Sequence, residues 1–339
     1  MAEYDFHPDL RSARFKPRAV PVKSTLMRRL AGIGGSRRPA GGAIEWVDAD
    51  VSVRIWRPAA DGAGTSARAP RPAADGFGAS SRIPRPASAR QIDPTGSARG
   101  PQPGGALPAL LWIHGGGYVM GNAAMGDAFC RNISRRLGVI TASVEYRLAP
   151  EHPFPTPLED CYTALRWLAD QTDVDIGRIV IGGESAGGGL AAALALLAKE
   201  RGEVRPILQV LSYPMIDDRT SARTDIDPRS LRMWSVANNR YAWRSYLGPA
   251  ESDPPPLAAP ARYGDLAGVA PAWIGTGTRD LFHDEDVAYA GRLRAAGVPC
   301  DLQVVPGAYH GFDLVEAKAA IAREYQEAQV EAIERALQG

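Results

Sequence analysis

Ser185 stands in Gly183-Glu184-Ser185-Ala186-Gly187, directly after the apolar run RIVIG (from Arg178) and before the helical run GGLAAALALLA. G-x-S-x-G at a strand-to-helix turn suits nucleophilic attack by a serine oxygen. The sharp turn holds the serine in a strained backbone conformation, and small neighbours let the chain segments pass. The next helix then aims its free N–H groups at the same place. A nucleotide loop is the rival reading of a glycine-rich turn, and this one lacks the GK[ST] ending that a phosphate-binding loop uses.

A serine nucleophile needs a base, and the base needs a carboxylate to orient it. The histidines are His7, His114, His152, His283 and His310. Hydrolases with this turn run in the order Ser, Asp or Glu, His, which leaves His283 and His310. His310 follows the run CDLQVV in Pro-Gly-Ala-Tyr-His-Gly-Phe, a loop with glycines on both sides, whereas His283 begins a charged helical stretch and reads as exposed. His310 is therefore the expected base. Asp280 stands just past AWIGTGT and is the expected orienting acid; Asp284 and Glu285, a turn further on, suit a helix N-terminus. Upstream, His114-Gly115-Gly116-Gly117 follows LPALLWI. Acyl transfer builds negative charge on a carbonyl oxygen, and adjacent glycines let several backbone N–H donors converge there. His114 itself reads as structural, holding this loop.

Such residues need a rigid frame. Apolar runs (LPALLWI, GVITASVEYR, RIVIGG, PILQVLSYP, PAWIGTGTRD, CDLQVVPG) alternate with helical patterns from Leu158, Leu190 and Val287, and the chain closes on a helix through Ile321, Tyr325 and Ile333. That alternation predicts an α/β fold with a mainly parallel sheet covered on both faces. IEWVDADVSVRIWRP alternates as an antiparallel opening pair would. Two regions break the pattern: residues 1–42, polar and irregular, and residues 217–250, aromatic and helix-like. Together they are expected to cap the carboxyl ends of the strands, where open α/β sheets bind ligands. The core is then 43–216 and 251–339.

Residues 58–104 do not belong to a packed core. Pro, Gly, Ala and Ser supply 31 of these 47 residues, and Val and Leu supply none. The phrase RPAADG at Arg57 and Arg71, then RPAS at Arg85, has no apolar face on which a solenoid could stack. The expectation is a flexible insertion that the domain carries cheaply, because loop closure costs grow only logarithmically with length.

A net charge of +1 gives no electrostatic case for nucleic acid or an anionic membrane as partner. Cys130, Cys161 and Cys300 are too few and too scattered for a disulfide framework or a zinc site, and read as free thiols. The longest apolar stretch, Leu190–Ala198, is too short to span a bilayer, and the first twenty residues hold no signal-like run, so a cytoplasmic protein is expected.

HGGG at His114, the run Tyr146-Arg147-Leu148-Ala149-Pro150-Glu151, GESAGG, DLFHDE from Asp280 and YHGF together resemble the hormone-sensitive-lipase-like esterases, bacterial esterase family IV, over roughly residues 105–339. The resemblance implies an α/β-hydrolase fold with an eight-stranded, mostly parallel sheet, its second strand antiparallel, and a small helical cap. It implies Ser185, Asp280 and His310 as the triad and Gly115, Gly116 and Ala186 as oxyanion-hole donors. Tyr118, Met233 and Trp234 are expected to touch substrate. The implied activity is cofactor-free and metal-free hydrolysis of short-to-medium acyl esters by a serine carboxylesterase. An amidase or lactonase on the same fold is the alternative. A non-catalytic receptor, such as the plant gibberellin receptors that resemble this family without its histidine, is a further one. The family often dimerises through its sheet edge, so the resemblance implies a homodimer. Glu184 departs from the commoner aspartate before the serine, and the insertion has no counterpart in the family pattern.

Overall fold

A computed structural model describes residues 6–24, 37–58 and 105–338 of the chain. The expected insertion at 58–104 lies outside the described residues except for Pro58.

Among the described residues, eight strands form one sheet: β1 (Ala43–Trp46), β2 (Ser52–Trp56), β3 (Leu107–Ile113), β4 (Ile140–Glu145), β5 (Val174–Glu184), β6 (Leu208–Ser212), β7 (Ala272–Arg279) and β8 (Cys300–Tyr309). Their order is β1-β2-β4-β3-β5-β6-β7-β8. β2 runs antiparallel to both of its neighbours, and every pairing from β4 to β8 is parallel. The apolar runs become strands because both faces of the sheet are covered. Side chains alternate between the faces. Ala109, Leu111 and Ile113 of β3 join one core with α2 (Thr156–Ala169), α3 (Ala186–Arg201) and α5 (His283–Ala295). Leu110 and Trp112 join the other, with α1 (Asp127–Leu137) and α7 (Ala320–Gln338).

α3 is buried from Ala186 to Ala198, which explains why its sequence is apolar all round rather than striped. It stops at Gly202, whose left-handed φ of 70° closes the helix. Arg54, buried on β2, forks onto Asp127 of α1 with two bonds of 2.6 Å and so ties the antiparallel strand to its covering helix.

The region after β6 is less helical than its sequence suggests. Asp218–Ala222 is a short 3-10 turn, and only Val236–Leu247 (α4) is α-helix. Between them the chain is irregular, and Met233 takes a left-handed φ of 64°. The reason is tertiary. The Met233 N–H donates to Pro17 O at 2.7 Å, and Met233 O accepts from the Val20 N–H at 3.1 Å, so this stretch pairs with the N-terminal segment instead of winding on itself. The buried Arg232 adds a bond from Nε to Ala13 O at 2.8 Å. No helix among the described residues is long and apolar enough to cross a membrane. Cys130 and Cys161 are buried and Cys300 is partly buried, all three as free thiols.

Candidate active site

β5 ends at Glu184 and α3 begins at Ala186, so Ser185 is the whole turn. Its φ of 56° and ψ of −121° lie where side-chain-bearing residues seldom go. The turn is held on both sides: the Ser185 N–H donates to Ser212 O, and Ser185 O accepts from the Gly189 and Met215 N–H groups, each at 2.9 Å. The flanking glycines are there for room. A Cβ on Gly187 would stand 2.1 Å from Ile113 O, and one on Gly183 would stand 2.4 Å from Gly187 O.

Ser185 Oγ lies 2.9 Å from His310 Nε2, across 125 residues of sequence. His310 Nδ1 lies 2.8 Å from Asp280 Oδ2, and Asp280 Oδ1 accepts the Phe282 N–H at 3.0 Å. All three side chains sit at the carboxyl ends of parallel strands, after β5, β7 and β8. His283 is not in this chain of bonds; it pairs with Asp284 at 2.7 Å.

The loop after β3 meets the turn from the opposite side. A Cβ on Gly115 would come within 3.2 Å of Ser185 Cβ. Gly116, Gly117 and Tyr118 then take positive φ values in succession (116°, 61° and 63°), which rolls the backbone over the serine. Ala186 opens α3, so its N–H has no intrahelical acceptor. The Gly115 N–H favours the ionised form of the Glu184 carboxyl. His114 is fully buried and stacks on Tyr146 at 4.2 Å. Burial lowers its pKa to about 4, so the ring stays neutral; its Nδ1–H donates to Gly115 O at 2.8 Å. The Tyr146 hydroxyl donates to His114 O at 3.0 Å, and Arg147 forks onto the buried Asp160. The YRLAPE run thus props the glycine loop, a task that nothing local in its sequence reveals.

Trp234 is buried with its ring centroid 6.2 Å from that of His310. Met233 is half-buried beside it. Tyr118 is buried against α4, stacked on Tyr246 at 4.0 Å, with its hydroxyl donated to Met215 O at 2.7 Å.

Three further residues converge on the site without an advance signal. Tyr213 packs edge-on against His310 with centroids 4.9 Å apart. Glu285 reads in sequence as a helix-start carboxylate, yet it is buried and accepts from the Ile216 and Asp217 N–H groups and the Thr220 hydroxyl. It thereby fixes the chain that leaves β6. Asp313 is also buried, three residues past His310.

Residues 110–314 match the family model for the alpha/beta hydrolase fold. Esterase LipI of Mycobacterium tuberculosis is 36% identical over 212 residues, which is 60% of this chain and 65% of that protein. Ethyl acetate hydrolase of Pseudomonas putida is 37% identical over 222 residues, 63% of this chain and 69% of that protein. The chain thus spans only about two thirds of these relatives' own length. Among solved structures, a bacterial heroin esterase superposes with a TM-score of 0.76 at 32% identity over 98% of each chain. The matched span runs from inside β3 to just past the His310 loop and takes in every residue bonded to Ser185. The chain belongs to the alpha/beta hydrolase family, in its hormone-sensitive-lipase-like branch.

Proposed function

We propose that this protein is a serine carboxylesterase acting on short-to-medium acyl esters through an acyl-enzyme intermediate. The observation that carries the reading is the continuous chain Ser185 Oγ–His310 Nε2–Asp280 Oδ2, at 2.9 and 2.8 Å. His310 takes the serine proton as Oγ attacks the ester carbonyl. Asp280 holds the tautomer with Nδ1–H and stabilises the imidazolium. The developing oxyanion is received by the backbone N–H groups of Gly115, Gly116 and Ala186. His310 then protonates the departing alcohol, and water releases the acid by the reverse sequence. Alcohols leave more readily than amines, which favours esters over amides.

A complete triad argues against the receptor alternative. Trp234 beside His310 supports a shallow acyl site. The reading includes a cytoplasmic homodimer paired through a sheet edge, which sedimentation of the purified protein would test. The test of activity is a panel of p-nitrophenyl esters, anilides and lactones with the wild type and with Ser185→Ala, His310→Ala and Asp280→Asn. Ester turnover should dominate. The first two variants should lose roughly 10⁴–10⁶ in kcat with the fold intact, and the aspartate variant somewhat less. More than about a tenth of wild-type activity in Ser185→Ala would reject the assignment.

A further inference from the structure

Two buried carboxyls behind the nucleophile have no part in the triad. Glu184 immediately precedes Ser185, and Asp313 follows His310 by three residues. Asp313 is 3% exposed, and its Oδ1 accepts the Tyr213 hydroxyl at 2.7 Å. The Tyr213 ring in turn packs against His310, 4.9 Å between centroids at 69°. Tyr213 follows Ser212, whose carbonyl holds the Ser185 N–H. Glu184, Ser212 and Asp313 together line a cavity of about 490 Å³ between α1 and α7, with the exposed Arg136–Glu327 pair (2.6 Å) and Arg323 also along its wall. Three polar residues of its wall thus touch the triad's surroundings: Glu184 precedes Ser185, Ser212 holds its N–H, and Asp313 is bonded to Tyr213.

We propose that Asp313 is a positioning residue of the reaction, a second carboxylate that acts through Tyr213 and its own charge to favour the imidazolium form of His310, with Glu184 as its coupled neighbour and the rear cavity as their path to solvent protons. The inference rests on the triad reading above. A charge in this interior acts strongly because little water lies between it and the ring.

The proton balance of the pair fits this role. Burial raises the Asp313 pKa to about 6, against the opposing pull of the Tyr213 hydroxyl, the Gln326 side chain and the His310 charge. Burial raises the Glu184 pKa to about 8, with the Asp313 charge adding to the rise and the Gly115 N–H opposing it. Near neutral pH the pair carries one negative charge, on Asp313. The other titratable groups facing it are Tyr213, Tyr309, Tyr325, Cys130 and Tyr146, each pushed up and neutral in this range. The remaining charged groups near the pair are Asp280, on His310, and the rim residues Arg136, Arg323 and Glu327.

The test is a pH profile of kcat and KM from pH 5 to 9 on p-nitrophenyl butyrate for the wild type, Asp313→Asn, Asp313→Glu, Glu184→Gln and Tyr213→Phe. Ser185→Ala serves as the separate check on the triad. Asp313→Asn removes the charge that favours imidazolium. Its kcat should fall about 3- to 30-fold with KM within about twofold, and the acidic limb of kcat/KM should move down by about half to one pH unit. Asp313→Glu should restore the limb. Tyr213→Phe should move it in the same direction by less, which keeps the test open if the asparagine variant does not fold. Glu184→Gln should leave the acidic limb in place, because Asp313 ionises first. If Ser185→Ala is inactive while the limb stays fixed in both Asp313→Asn and Tyr213→Phe, the triad stands and the role of Asp313 is overturned. A shifted limb in Glu184→Gln alone would also overturn it. An active Ser185→Ala would instead remove the reading on which the inference rests.

Discussion

A Cβ placed on Gly117 would stand 2.3 Å from Cη2 of Trp234. Trp234 therefore rests directly on the glycine loop, and the two together fix how much space remains beside His310. Trp234→Ala should open that space. The expected result is a rise of about tenfold in kcat/KM on octanoyl relative to butyryl esters, with little change on acetyl esters. Gly117→Ala should lose most activity, since it brings both the clash and a strained φ of 61°. The double variant should recover part of the loss, because removing the indole removes the clash and leaves only the strain. Equal losses in the single and double variants would show that the contact is not what constrains the loop.

The N-terminal segment should govern binding more than chemistry. Arg232 joins that segment to the stretch presenting Met233 and Trp234: it donates to Ala13 O and stacks over Phe6 at 4.6 Å. Arg232→Ala strands the carbonyls it serves and frees the stretch. KM on butyrate esters should rise several-fold with kcat within about threefold, and Tm should fall by roughly 2–8 °C for a loss of about 1–2 kcal/mol. A change confined to kcat would count against a binding role for the cap.

Glu184 should make stability depend on pH in a defined window. Its folded pKa, about 8, lies above the ordinary carboxyl value of 4.5 because burial disfavours the charged form. The folded state then holds a proton that the unfolded state gives up. The associated stability is fully present below pH 4.5 and is lost as pH rises through 8. Glu184→Gln, which cannot ionise, should match the wild type near pH 5 and exceed it at pH 9 by on the order of 1–3 kcal/mol. Urea unfolding at the two pH values measures the difference. A variant no more stable at pH 9 than at pH 5, relative to the wild type, would contradict the assignment.

Residues 60–103 should be replaceable by a short linker. Trp56 of β2 pairs with Thr141 of β4, and Thr141 pairs with Leu110 of β3. The end of β2 and the start of β3 thus lie at the same end of the sheet, two strand spacings or about 10 Å apart, a gap that a few extended residues can span. A variant with about eight Gly and Ser residues in place of 60–103 should keep Tm within a few degrees and kcat/KM within about twofold. Loss of most activity would assign the segment to the site.

The strands, the turn at Ser185 and the residues that meet in its hydrogen-bonded chain were legible because each is written locally: an apolar run, then a polar residue just past its end. Ser185, Asp280 and His310 could be ordered by chain position alone, and they converge on one hydrogen-bonded chain. What escaped depends on distant partners. Nothing near Met233 announces a left-handed backbone, because the cause is Pro17 and Val20, more than two hundred residues away. Tyr118 carries a positive φ and a buried hydroxyl only because Met215 O and the Tyr246 ring are waiting for it. Glu285 and Asp313 look like ordinary surface carboxylates, since burial of a charge is a property of the packed molecule and leaves no mark on its immediate neighbours.

Among the described residues, β8, which delivers His310, has one strand neighbour, β7, and beyond that ladder a single backbone bond from the His7 N–H to Gly307 O at 3.0 Å. An outer strand held by one ladder opens more readily than the strands inside the sheet. Fraying of that margin would withdraw the base from Ser185 while the other seven strands stay paired. The proposed reaction would thus be tethered to an outer seam of the sheet, and heat or denaturant should silence ester turnover before the secondary structure melts. Any ligand or second subunit that pins this seam would protect turnover without coming near the serine.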